Sequence, residues 1–150
     1  MLRRFNFEAE IYESLSCVPM AVRRKLDRAG IKIGLEQWQK LKRGERLAIC
    51  HLPAQSAEEL EVLRLFIGET VNSRSGSEPK SLPDSERAAA EPPTEPPAAL
   101  VENAKALGVE IDRPAWARLG EDERYALIKL GAAPKLSHNL QAALNEFIVR

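Results

Sequence analysis

The sequence predicts an all-α protein built from one helical unit used twice. Residues 30–52 align with 108–130 without a gap. Gly30, Ile33, Trp38, Leu41, Glu45, Arg46, Ala48 and Leu52 then meet Gly108, Ile111, Trp116, Leu119, Glu123, Arg124, Ala126 and Leu130. That is eight identities in 23 positions, where average composition gives roughly one or two. Both tryptophans of the chain fall at the same place in the pattern. In the flanking segments apolar residues recur at helical rather than alternating spacing.

The elements follow in order. A helix over 19–29 carries Met20, Val22, Leu26 and Ala29 on one stripe, with Pro19 in its first turn and Gly30 just past its end. Ile31-Lys32-Ile33 reads as a short extended piece. Gly34 then caps a short helix that carries Trp38 and Leu41. A further helix spans 45–52, entered through Gly44, with Glu45 placed well for the macrodipole. Ser56 opens the last helix of this half, which carries Leu60, Leu63, Phe66 and Ile67. The second half repeats the plan. Pro97 opens a helix over 98–107 with Leu100, Val101, Ala104 and Leu107, and Gly108 closes it. Val109-Glu110-Ile111 is extended, Asp112 caps the Trp116 helix, and Asp122 caps a helix over 123–130. Ser137 opens a last helix with Leu140, Leu144, Phe147 and Ile148.

Between the halves the composition changes. Residues 72–97 hold six of the ten prolines, and Leu82 is their only large aliphatic residue. Such a stretch buries too little apolar surface to offset the entropy of ordering it, so a disordered linker is expected. The expected organisation is an N-terminal helical repeat over 1–71, the linker over 72–97 and a C-terminal repeat over 98–150. Units of about 50 residues are marginal alone, so the halves are expected to pack together as one domain.

Composition excludes several classes. The chain has 150 residues, 44% of them apolar, and equal numbers of acids and bases. No global field draws it to nucleic acid or membrane, and no apolar run approaches the length of a spanning helix. The first eight residues lack the apolar core of a secretion signal, and two cysteines are too few for a disulfide framework. A cytoplasmic location is expected.

Charge is uneven locally. Nine lysines and arginines face three acids between Met20 and Arg46. The candidate partner-binding surface is Arg23, Arg24, Lys25 and Arg28 with the neighbouring corner of Cys17, Pro19 and Met20. The alternative is a DNA-binding regulator, since Leu26-x-x-x-Gly30-Ile31 and the short helix after it have a helix-turn-helix look. The same turn recurs at Ala104-x-x-x-Gly108-Val109 among acids, which argues for architecture and against nucleic acid. Gly30, Trp38, Glu45 and Arg46, with Gly108, Trp116, Glu123 and Arg124, are structural residues of the repeat. Each Glu-Arg pair reads as a helix start with an ion pair, and the indoles as core. Cys17, Cys50, His51 and His138 lack metal-ligand spacing, so no metal is expected. Cys17, at the start of the helix opened by Pro19, is open to reading as a reactive thiol of an enzyme but fits better as a small buried apolar residue, and no nucleotide loop, catalytic triad or cofactor is suggested.

Two strings stand out near the N-terminus: Phe5-Asn6-Phe7-Glu8, and Cys17-Val18-Pro19-Met20-Ala21-Val22-Arg23-Arg24-Lys25-Leu26-Asp27 leading into Gly30-Ile31-Lys32-Ile33 and Trp38. Together they resemble the nitrate reductase-associated protein family, most strongly over residues 5–52 and more weakly through the second tryptophan half. The resemblance implies an accessory, non-enzymatic role toward an assimilatory molybdenum nitrate reductase, or an assembly intermediate of it, as the protein partner. It carries over no catalytic residue.

Overall fold

The computed structural model describes residues 2–132 and 138–149. It is mostly helical: α1 (Ala9–Ser14), α2 (Met20–Ala29), α3 (Leu35–Lys40), α4 (Arg43–His51), α5 (Ala57–Ser75), α6 (Asp84–Ala88), α7 (Ala98–Ala106), α8 (Arg113–Ala117), α9 (Glu121–Gly131) and α10 (His138–Leu144). Among the described residues the one sheet is a two-stranded antiparallel ladder of β1 (Ile31–Lys32) and β2 (Lys80–Ser81). No described helix is long and apolar enough to cross a membrane. The helix start expected at Ser137 lies outside the described residues. The chain forms two compact units, one of residues 2–4 and 8–90, the other of Phe5–Phe7 and 91–149.

In the first unit Pro19 is the N-cap of α2, one position earlier than its expected first-turn place, and its extended backbone turns the chain into the helix. Gly30 closes α2 at φ 77°, a left-handed conformation that glycine adopts without steric cost. Val22, Leu26 and Ala29 share a buried core with Trp38, Ile49 and Leu63. Each aliphatic side chain fully removed from water contributes about 1.5–3 kcal/mol. The indole of Trp38 is wholly buried, and its N–H donates to the carbonyl of Leu15 at 2.7 Å. Arg46 binds the corner after α3: its Nε donates to the Trp38 carbonyl at 3.0 Å and its Nη2 to the Gln39 carbonyl at 2.7 Å.

The helix start expected near Gly44 is corrected: α4 begins at Arg43 with Lys42 as N-cap. The cause is Glu45, whose carboxylate turns back to accept the Lys42 backbone N–H at 2.8 Å. No cap side chain is then needed. Nor does Glu45 pair with Arg46. Its ion pair is with Arg74, late in α5, at 3.0 Å. That guanidinium first, and the Lys42 amide second, hold the Glu45 carboxyl below its ordinary range. Ser56 caps α5 as expected, accepting from the Glu59 amide at 3.1 Å while Glu59 accepts from the Ser56 amide at 2.9 Å.

The second unit uses the same contacts. Pro97 is the N-cap of α7, and Gly108 after that helix sits at φ 80°. Trp116 is wholly buried, with its indole N–H on the Pro93 carbonyl at 3.1 Å. Arg124 donates from Nε to the Trp116 carbonyl at 3.1 Å and from Nη2 to the Ala117 carbonyl at 3.2 Å. Asp112 caps α8 by accepting the Ala115 amide at 2.8 Å. The cap expected at Asp122 is corrected to Gly120, because Glu123 accepts the Gly120 amide at 2.8 Å in the manner of Glu45. The N-terminal string completes this unit. Phe5 stacks with Phe7 and meets Phe147 edge-on at 5.0 Å, while the Asn6 and Phe7 amides donate to the Glu146 carboxylate.

The disordered linker expected over 72–97 is also corrected. Residues 72–75 finish α5, and Lys80–Ser81 pair with Ile31–Lys32. Residues 84–88 form α6, Ala90 is fully buried, and Pro93 receives the Trp116 indole. Side-chain burial alone does not decide whether this stretch orders: its backbone bonds favour order, and the reduced unfolded-state entropy of a proline-rich chain makes ordering cost less.

The arginine corners generate a stability prediction. Arg46→Met is expected to lower unfolding stability by about 2 kcal/mol in urea titration, since charged-donor bonds to half-buried carbonyls are lost. Arg46→Lys should recover less than half, because an ammonium lacks the planar fork that reaches the Trp38 and Gln39 carbonyls from separate nitrogens. Unchanged midpoints in both variants would remove the corner from the account.

Candidate functional site

The two strings at the N-terminus meet at one carboxylate. Glu8 is buried, and its oxygens accept the Met20 backbone N–H at 3.2 and 3.3 Å. An N-cap proline has no side-chain acceptor for the open amides of the first turn. Glu8 supplies one from elsewhere in the chain, with the charge sign that a helix N-terminus favours. Tyr12 fixes this carboxylate, its hydroxyl donating at 2.9 Å. The sequence strings are therefore a single structural device at the foot of α2.

The expected basic surface divides when its residues are placed. Arg23 is exposed on α2. Arg24 is buried, and its Nε donates to the Ala90 carbonyl at 2.8 Å, tying down the segment after α6. Lys25 is half-buried and donates to the carbonyls of Ile49 and Cys50 at 2.8 and 2.9 Å, at the C-terminal end of α4. An ammonium there satisfies orphan carbonyls and complements the helix dipole. Burial lowers the pKa of this amine. Arg28 is half-buried and reaches the Gln55 carbonyl at 3.4 Å. Pro19 is buried, Met20 half-buried and Cys17 exposed. Arg24 and Lys25 thus hold the unit together, and Arg23 faces solvent.

Two bases missed in the sequence join the outer edge. Lys80 lies directly opposite Lys32 in the β1–β2 ladder, and both are exposed. Arg87 of α6 lies over Gly30, so closely that a Cβ on Gly30 would fall 2.8 Å from its Nε. Both sat inside the stretch read as linker. The signal that could have found them is Leu82, an isolated aliphatic residue among prolines, whose amide donates to the Gly30 carbonyl at 2.9 Å.

Cys50 is buried and Cys17 exposed. Burial pushes the Cys50 thiol up, with Lys25 and Arg4 opposing. Among the described residues no three His, Cys, Asp or Glu side chains are grouped to hold a metal ion.

The Tyr12 phenol is pushed well above its ordinary pKa, by burial first and by the Glu8 carboxylate second. Above about pH 10 the unfolded chain releases this proton while the folded one keeps it. The folded state then holds more protons, so stability falls as pH rises through that region. Cys50 acts with the same sign from slightly lower pH, and Lys25, whose pKa is lowered, acts against both. Tyr12→Phe is expected to flatten the loss of stability between about pH 10 and 11.5, measured by urea unfolding at each pH. An alkaline limb as steep as the parent's would refute the assignment.

No curated protein and no solved structure gives a significant match to the chain. The profile described as conserved nitrate reductase-associated protein matches residues 4–147. That span includes the Glu8 corner, both tryptophan corners and the ordered segment between them. The chain belongs to the conserved nitrate reductase-associated protein family.

Proposed function

We propose that this is a non-catalytic accessory protein that binds the molybdenum-containing nitrate reductase, or an assembly intermediate of it, in the cytoplasm. The contact surface is made of the exposed bases of the first unit: Lys32, Lys80 and Arg87 at the C-terminal end of α2, and Arg23 with the corner of Cys17, Pro19 and Met20 toward its N-terminal end. Arg24 ties down the segment after α6, and Lys25 and Arg28 tie α2 to the end of α4 and the loop after it. The observation that carries this reading is the lysine pair. Like charges directly opposite on neighbouring strands are unfavourable in the isolated protein. Lys32 and Lys80 hold that arrangement on an exposed edge, where an acidic partner surface relieves it. Such a surface also speeds encounter, in a manner weakened by salt. A partner that binds one conformation of the enzyme raises the population of that conformation, so accessory action needs no chemistry of its own.

We read the two units as copies of one helical unit. The matching indole, arginine and glutamate bonds support this alongside the aligned residues. In that reading their shared residues carry architecture, and partner recognition falls to positions where the copies differ.

The test is titration of the full chain against the reductase at low and high salt. Lys32→Glu combined with Lys80→Glu keeps the like-charge repulsion inside the ladder, so the melting temperature should stay near the parent's. The complex should weaken about tenfold at low salt, and the difference should shrink as salt rises. Equal affinity for parent and variant under both conditions would remove this surface from the proposal.

A further inference from the structure

The ordered segment 80–90 covers one face of the first unit. Lys80–Ser81 pair with Ile31–Lys32, the Leu82 amide binds the Gly30 carbonyl, Arg87 lies over Gly30, and Arg24 holds the Ala90 carbonyl. Among the described residues the matching face of the second unit has no such cover. Gly108 shares the left-handed conformation of Gly30, yet nothing lies within 4 Å of where its Cβ would be. Gly30 is buried and Gly108 exposed. No strand pairs with Val109–Glu110 among the described residues. An open groove of about 560 Å³ lies there instead, lined by Val101, Lys105, Gly108, Val109, Glu110 and Ile111.

Its charge differs from that of the covered face. In the alignment Glu110 stands where Lys32 does, and Glu102 where Arg24 does. The position opposite the cover thus changes from a base to an acid, Glu110, while Lys105 also lines the groove.

We propose that this groove binds an extended segment of a partner protein, added antiparallel to Val109–Glu110 as Lys80–Leu82 is added to Gly30–Lys32. The segment carries a lysine or arginine opposite Glu110 and an aliphatic residue followed by proline beside Gly108, the pattern of Lys80-Ser81-Leu82-Pro83. The Val109 amide is held by the Ala104 carbonyl at 2.9 Å, so backbone bonds to the Gly108 carbonyl and to Glu110 supply affinity, and the groove and Glu110 supply selection. The proposal stands whether or not the reductase is that partner.

The probe is a fluorescent peptide with the sequence of residues 78–90, titrated into the full chain by anisotropy. It should bind saturably, with a Kd below about 1 mM, and shift the amide resonances of Gly108–Ile111. Glu110→Lys should weaken binding about threefold to fivefold, and a peptide with glutamate in place of its lysine should restore it. Val101→Asp should weaken binding more than about tenfold by placing a carboxylate in the apolar lining. Both variants should melt with the parent. Three results would overturn the proposal. One is a Kd weaker than this limit, or one indifferent to Glu110→Lys. Another is a set of shifts confined to Gly30–Lys32, meaning that the probe only displaces the chain's own segment. The third is self-association without peptide that Val101→Asp abolishes, which makes a second copy the occupant.

Discussion

Burying an indole imposes a demand that organises much of this chain. The ring supplies a large apolar surface, but its N–H must find an acceptor once water is excluded. Trp38 finds the Leu15 carbonyl and Trp116 the Pro93 carbonyl, each 23 residues earlier. That one bond decides where the chain runs before α2 in the first unit and before α7 in the second. It also explains why Leu15, with an ordinary side chain, sits at φ 51°. A left-handed leucine is strained, yet here its carbonyl meets the indole and also accepts from Arg46 at 3.3 Å, while its side chain is buried. The arginine two helices on completes the corner by taking the tryptophan's own carbonyl.

Glu8 is a second case of backbone need placing a charged side chain. A carboxylate that is 5% exposed costs much desolvation unless its lone pairs are used. The Met20 amide and the Tyr12 hydroxyl use them. The string Phe5-Asn6-Phe7-Glu8 therefore serves two ends within four residues. Its phenyl rings complete the aromatic cluster at Phe147, and its carboxylate caps α2.

What was legible in the sequence was whatever depends on side-chain periodicity. Val22, Leu26 and Ala29 mark the buried stripe of α2, and Asp112 and Ser56 mark true caps, because those signals are local. Features that depend on bonds between distant backbone groups were not legible. Lys42 and Gly120 look like poor caps until Glu45 and Glu123 are seen reaching back to them. Arg24 and Lys25 look like surface bases until the carbonyls of Ala90, Ile49 and Cys50 are placed beside them. Pro93 looks like linker until an indole needs its oxygen. A charge count registers where cations lie along the chain, and it is blind to how many of them serve internal acceptors.

The same distinction separates the two candidate surfaces from the scaffold. Where the halves agree, at the tryptophan, glutamate and arginine, the side chain answers a demand of its own backbone. Such a residue is no freer to recognise a partner than a turn glycine is. Where they differ, the difference has a physical consequence. Arg24 donates to the Ala90 carbonyl, and a carboxylate at Glu102 cannot donate to any carbonyl. A cover like that of the first unit could not be tied down in the same way over the second, and Gly108 is correspondingly open where Gly30 lies under Arg87. The exchange of one guanidinium for one carboxylate thus changes what a glycine-closed helix end can hold. In the first unit it holds its own chain, and in the second it leaves the groove beside Gly108 open among the described residues.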